Sequence, residues 1–71
     1  MEMDLPQCLA ENLRALRGNR TQEAFARKLG ISQATLTRLE SAAQNTTIKT
    51  LGQIANALRC DVSELLKEPG S

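Results

Sequence analysis

The chain has 71 residues, 41% of them hydrophobic and one aromatic, so it reads as a single domain near the lower limit for a self-supporting core. No apolar run approaches the roughly 18 residues a membrane span needs, and the acidic N-terminus MEMDLPQ lacks a secretory apolar stretch, so a cytoplasmic protein without a membrane partner is expected. Net charge is +1, and the lack of histidine and of any CxxC removes a zinc ligand set and His-based catalysis, so no metal, no cofactor and no enzymatic activity are expected.

Leu9, Leu13 and Leu16 recur at helical spacing and predict a first helix from about Leu5 to Arg17, with Pro6 accommodated in its first turn. Gly18-Asn19 stops it. Thr21 then caps a second helix, TQEAFARKL, with Glu23 near its positive end and Phe25, Ala26 and Leu29 as its buried stripe. Gly30-Ile31-Ser32 is a tight connection. Ser32 caps a third helix that runs to about Ser41. A polar loop, AAQNT, leads to Thr47, which caps a fourth helix carrying Ile48, Leu51, Ile54, Ala55 and Leu58. Cys60 sits at an apolar position between two helices and reads as a small core hydrophobe, and the distant Cys8 makes no motif with it. Asp61 and Glu64 fit a D-x-x-E capping box for a short fifth helix with apolar Val62, Leu65 and Leu66. Residues 67–71 are expected to fray, which leaves a core of 5–66. The expectation is an all-α, compact five-helix domain.

Charge is uneven along this frame. Between Arg14 and Arg38 six positive residues (Arg14, Arg17, Arg20, Arg27, Lys28, Arg38) stand against Glu23, whereas three positives face seven negatives elsewhere. Such asymmetry is expected where one region meets phosphate, although solvated helix faces would also produce it.

The second and third helices are separated by only three residues and must turn sharply. Gly30 suits a backbone with positive φ, and Ala26 leaves room for the crossing. Ile31 plugs the corner, while Leu36 and Leu39 anchor the third helix from beneath. That combination marks a helix-turn-helix.

At TQEAFARKLGISQATLTRLES the chain resembles the helix-turn-helix of phage repressor/Cro-type bacterial regulators. LRALR is similar to that family's first helix, and NTTIKTLGQIANAL with DVSELL is similar to its fourth and fifth. The resemblance covers roughly Leu9 to Leu66 and implies that family's five-helix, lambda-repressor-like fold. Three positions depart from the pattern: the GNR link is short with Arg20 at a usually apolar place, Thr46 replaces a common Pro, and Arg59 replaces a helix-ending Gly. The last implies a C-cap that is either strained or differently built.

In such proteins the third helix enters the major groove, led by its N-terminal residues. Its outer face here is polar and almost uncharged. The resemblance and the side-chain chemistry together nominate Ser32, Gln33, Ala34, Thr35, Thr37 and Arg38 as DNA-binding. Gln33 can offer donor and acceptor to adenine, Arg38 a two-pronged donor to guanine, and Ala34 and the Thr methyls apolar contact to thymine. Phosphate contacts are expected at Thr21 and Gln22, where backbone N–H groups of a helix start point outward. The resemblance further places Gln44, Asn45 and Thr46 beside the DNA backbone. It also matches Arg17 and Glu40 to a pair used as an internal salt bridge.

The function these features imply is sequence-specific double-stranded DNA binding by a transcriptional regulator. One recognition helix reads too few base pairs to mark a genomic site, so a weak homodimer on a palindromic operator is expected. Leu66 is the expected dimer contact, because the fifth helix carries more apolar surface than a short terminal helix can bury. The alternative is an antitoxin that binds a protein toxin and its own promoter.

Overall fold

The computed structural model describes residues 4–42 and 46–68. These form five helices: α1 (Leu5–Arg17), α2 (Gln22–Leu29), α3 (Gln33–Glu40), α4 (Ile48–Leu58) and α5 (Val62–Leu66). Among the described residues there is no strand, and no helix is long and apolar enough to cross a membrane.

Capping explains where these helices begin. Thr21, Ser32 and Thr47 each turn a side-chain oxygen onto the backbone N–H three residues ahead, at Ala24, Thr35 and Thr50. These bonds occupy donors that a helix start leaves without intrahelical partners. Asp4 does the same for α1. Its carboxylate accepts from the Gln7 N–H at 2.9 Å, while Gln7 Oε1 accepts the Asp4 N–H at 3.2 Å, a full capping box. The expected Asp61–Glu64 box does not form. Asp61 makes no side-chain cap bond, Glu64 N–H donates to the Asp61 backbone carbonyl, and the Glu64 carboxylate pairs with Lys67.

At the helix ends, Gly30 takes the left-handed conformation (φ 74°, ψ 27°), and its N–H and that of Ile31 return to the carbonyls of Arg27 and Ala26. Arg59 adopts the same conformation (φ 55°, ψ 46°) at the end of α4. Its C-cap is therefore built as a glycine's would be, with a side chain held where Cβ is crowded.

The core is one cluster of Leu9, Leu13, Phe25, Ala26, Leu29, Leu36, Leu39, Ile54, Ala55 and Leu65. α1 packs on α3 and α5, α2 packs on α3 and α4, and α4 packs on α5. Ile31, Leu51, Leu58, Cys60, Val62 and Leu66 lie partly buried around that cluster. Two residues placed on apolar stripes by spacing are outside it: Leu16 is 48% exposed and Ile48 87%. Leu16 is the penultimate residue of α1 and Ile48 the first of α4. The buried Asn12 instead carries a tertiary lock. Its Nδ2 donates to the carbonyls of Leu65 (2.7 Å) and Lys67 (2.9 Å), capping the C-terminal end of α5 from α1.

Candidate nucleic-acid interface

The turn between α2 and α3 is held from a third helix. Gln53 on α4 donates through Nε2 to the Gly30 carbonyl at 2.7 Å. A Cβ on Gly30 would lie 2.9 Å from that same Nε2 and push the Gln53 amide aside, while the positive φ itself favours glycine. Leu36 and Leu39 are buried beneath α3, which turns Ser32, Gln33, Ala34, Thr37 and Arg38 to the exterior, with Thr35 half-buried. The structure thus brings these sequence-nominated residues onto one exposed side of a helix fixed at its back.

Their hydrogen bonding differs. Ser32 is engaged in the cap, its Oγ accepting the Thr35 N–H and lying 2.8 Å from Thr35 Oγ1. The Thr37 hydroxyl donates to Gln22 Oε1 at 3.0 Å. Gln33 and Arg38 are exposed, and Arg38 joins no ion pair among the described residues. The bond between Thr37 and Gln22 also sets the start of α2 beside the outer face of α3. The N-terminus of α2, at Thr21 and Gln22, is therefore adjacent to the row of α3 side chains.

Behind that face Glu40 is 4% exposed and accepts Arg17 Nε on both carboxylate oxygens, at 3.1 and 2.9 Å. Gln22 Nε2 adds a third bond to Glu40 at 3.2 Å. The buried carboxylate is thus satisfied by a charge and two neighbouring elements, as a desolvated ion must be. Arg17 also donates to the Arg20 carbonyl at 3.1 Å and fixes the short link into α2.

This pairing changes the electrostatic picture drawn from the sequence. Arg14 pairs with Glu11, Arg17 with Glu40, and Arg27 with Glu23. Arg20, Lys28 and Arg38 are exposed and join no ion pair among the described residues. Half of the basic window is neutralised internally, and two of its partners, Glu11 and Glu40, come from outside it in sequence. Linear charge counting could not reveal that.

Thr46 is half-buried and lines a groove of about 220 Å³ with Leu5, Pro6, Leu9, Leu39, Leu51 and Leu66. Gln44 and Asn45 lie outside the described residues. No group of His, Cys, Asp and Glu among the described residues could hold a metal ion. Burial, with the nearby carboxylates of Glu68 and Asp4, pushes the Cys8 thiol above its ordinary range. Burial does the same to Cys60, helped by Glu64 and Asp61, so neither is poised as a thiolate.

Residues 12–65 match the family model described as Helix-turn-helix. The chain belongs to the helix-turn-helix family. It is 41% identical over 44 residues to the plasmid copy control protein CopR of Streptococcus agalactiae. The aligned stretch takes in 62% of this chain but 48% of that relative, about half its length. Among solved structures, it resembles the crystal structure of the hypothetical transcription factor NHTF from Neisseria. That match has a TM-score of 0.81 and 31% identity, over 93% of this chain and 78% of the other. The family assignment accounts for the turn chemistry at Ala26, Gly30 and Ile31, and agrees with the all-helical fold expected from the sequence.

Proposed function

We propose that this helix-turn-helix protein binds double-stranded DNA sequence-specifically and regulates transcription, with α3 lying in the major groove. The observation that carries the reading is the exposed, almost uncharged side of α3. Gln33, Ala34, Thr37 and Arg38 face outward from a helix whose back is fixed by Leu36, Leu39 and the Glu40 ion pair. A face of amide, hydroxyl, methyl and one guanidinium groups suits base edges. A lysine-rich face would supply affinity without readout. The printed names of the two similar proteins, a plasmid copy control protein and a hypothetical transcription factor, support the same class.

Phosphate contacts fall to the backbone N–H groups of Thr21 and Gln22, to Thr46, and to Gln44 and Asn45 in the loop before α4. Arg20, Lys28 and Arg38 supply the positive field. The Arg17–Glu40 pair serves architecture, because its charge is consumed inside the domain. The reading is non-enzymatic, needs no cofactor and places the protein in the cytoplasm with its DNA. A weak homodimer completes the site, and Leu66 at the rim of the groove with Leu5 and Leu51 is the proposed contact.

Binding-site selection from random duplexes tests the proposal. Enrichment of a two-fold symmetric sequence with half-sites about one helical turn apart, roughly 34 Å, is expected. Retention of DNA with no enriched sequence would leave only non-specific binding. Recovery of a tightly bound small protein partner, with promoter binding dependent on it, would favour the antitoxin alternative.

A further inference from the structure

The bond between Thr37 and Gln22 is part of a chain that starts at a buried charge, and its direction is chemically forced. A carboxylate can only accept, so the Gln22 atom facing Glu40 at 3.2 Å must be the amide nitrogen. The other end of the amide, Oε1, is then the atom 3.0 Å from the Thr37 hydroxyl. An amide oxygen also only accepts, so Thr37 must donate its one proton inward. No comparable constraint acts on Thr35, whose partner Ser32 Oγ can take either role.

We infer that Gln22 sets the hydrogen-bonding polarity of Thr37, making that exposed hydroxyl an acceptor-only reader of amino-bearing bases. The inference rests on the reading of α3 as the DNA-facing helix. In the major groove adenine N6 and cytosine N4 present donors, whereas guanine O6, thymine O4 and phosphate oxygens present acceptors. A hydroxyl with its proton turned inward faces the first group favourably and the second with opposed lone pairs. Thr37 therefore prefers adenine or cytosine on the strand it faces and does not serve as a phosphate donor. Gln22 is a positioning residue that acts through Thr37. The Arg17–Glu40 pair fixes which way its amide points. The same linkage makes the amide orientation independent of DNA, so the polarity is present before binding.

The test is sequence selection with the wild-type chain, Thr37→Val and Gln22→Leu in parallel, with thermal melts establishing that each variant folds. Thr37→Val keeps the shape and the γ-methyl but replaces the hydroxyl by a second methyl, so it has no acceptor. It should lose the adenine-or-cytosine preference at one position of each half-site, with an affinity loss of about 3- to 10-fold for the preferred site. Gln22→Leu frees the Thr37 proton and should admit guanine or thymine at that same position, leaving the other positions as they were. Gln22→Met serves the same end if Gln22→Leu does not fold. A merely structural role for Gln22 would lower affinity evenly without altering base preference. Either an unchanged preference in Thr37→Val or a retained adenine-or-cytosine preference in the Gln22 variant overturns the inference. A wild-type chain that enriches no sequence overturns the DNA-reading proposal first, and this inference with it.

Discussion

Glu40, in the last turn of α3, holds Arg17 of α1 through the guanidinium Nε, 2.9 Å from one carboxylate oxygen and 3.1 Å from the other. The carboxylate is 4% exposed and the Arg17 side chain 25% exposed, so the pair is mostly desolvated at one end and almost fully at the other. Glu40→Gln should destabilise the domain by on the order of 1–3 kcal/mol, because it leaves Arg17 without its counter-charge. The Glu64–Lys67 pair, exposed at both ends, gives the contrast, and Glu64→Gln should change stability by less than about 0.5 kcal/mol. Urea denaturation of the two variants separates them. Equal, negligible effects would return Arg17 to the candidate phosphate contacts.

Gly30 is constrained twice, by its φ of 74° and by Gln53. Gly30→Ala should cost on the order of 1–2 kcal/mol, and the β-branched Gly30→Val should cost more, about 3 kcal/mol. Combining Gly30→Ala with Gln53→Ala removes the crowding but not the positive φ. The double variant should therefore be less unstable than the two single costs added together. Strictly additive melting data would show that Gln53 simply moves aside.

Arg59 presents the opposite case. It occupies a left-handed C-cap with a side chain, so Arg59→Gly should raise stability by about 0.5–1 kcal/mol despite the greater freedom glycine gives the unfolded chain. A higher denaturation midpoint with unchanged slope is the expected result. A drop in midpoint would mean that the arginine side chain contributes more than its backbone strain costs.

Arg38 and Gln33 are predicted to be base readers. Arg38→Ala and Gln33→Ala should each lose about 1–3 kcal/mol for the selected site and relax one position of its sequence preference. Their folding stability should stay within about 0.5 kcal/mol, because both side chains point outward. An unaltered preference after Arg38→Ala would mean that the helix presents a different face to the groove.

Leu66 lines the rim of an apolar groove together with Leu5, which is 60% exposed. Leu66→Glu should weaken cooperative binding to a full palindrome while leaving binding to a single half-site within about twofold, since the latter needs no second copy. Analytical sedimentation gives the independent reading: a weak, concentration-dependent dimer that the variant abolishes. A tight dimer insensitive to the change would move the interface elsewhere.

Helix positions were legible in the sequence because each start carries its own local chemistry. Thr21, Ser32 and Thr47 act on the backbone three residues ahead, whatever the rest of the fold does. Gly30 was legible for the same reason. What escaped were relations between distant segments. Leu16 and Ile48 share the spacing of core residues, but whether another helix covers them depends on where that helix ends. Asp61 satisfied a capping pattern, yet it makes no side-chain cap bond and the Glu64 carboxylate pairs with Lys67. Asn12 resembled any polar helix residue until α5 was laid across it. In the candidate site, the outward residues of α3 follow from Leu36 and Leu39 alone. The internal wiring of Thr37, Gln22 and Glu40 required knowing that the first residue of α2 lies beside Thr37 and Glu40 of α3.

The clasp of Asn12 on the end of α5 has a consequence for how the protein is made. Its two carbonyl partners, Leu65 and Lys67, are translated 53 and 55 residues after the amide that binds them. At roughly 5–20 residues per second, α1 waits about 3–10 seconds on the ribosome before its cover can emerge. During that interval Leu9 and Leu13 have no α5 to lie against. A nascent chain held before Leu65 should thus expose an open apolar flank on α1. That flank is a target for holdase chaperones until the amide closes it.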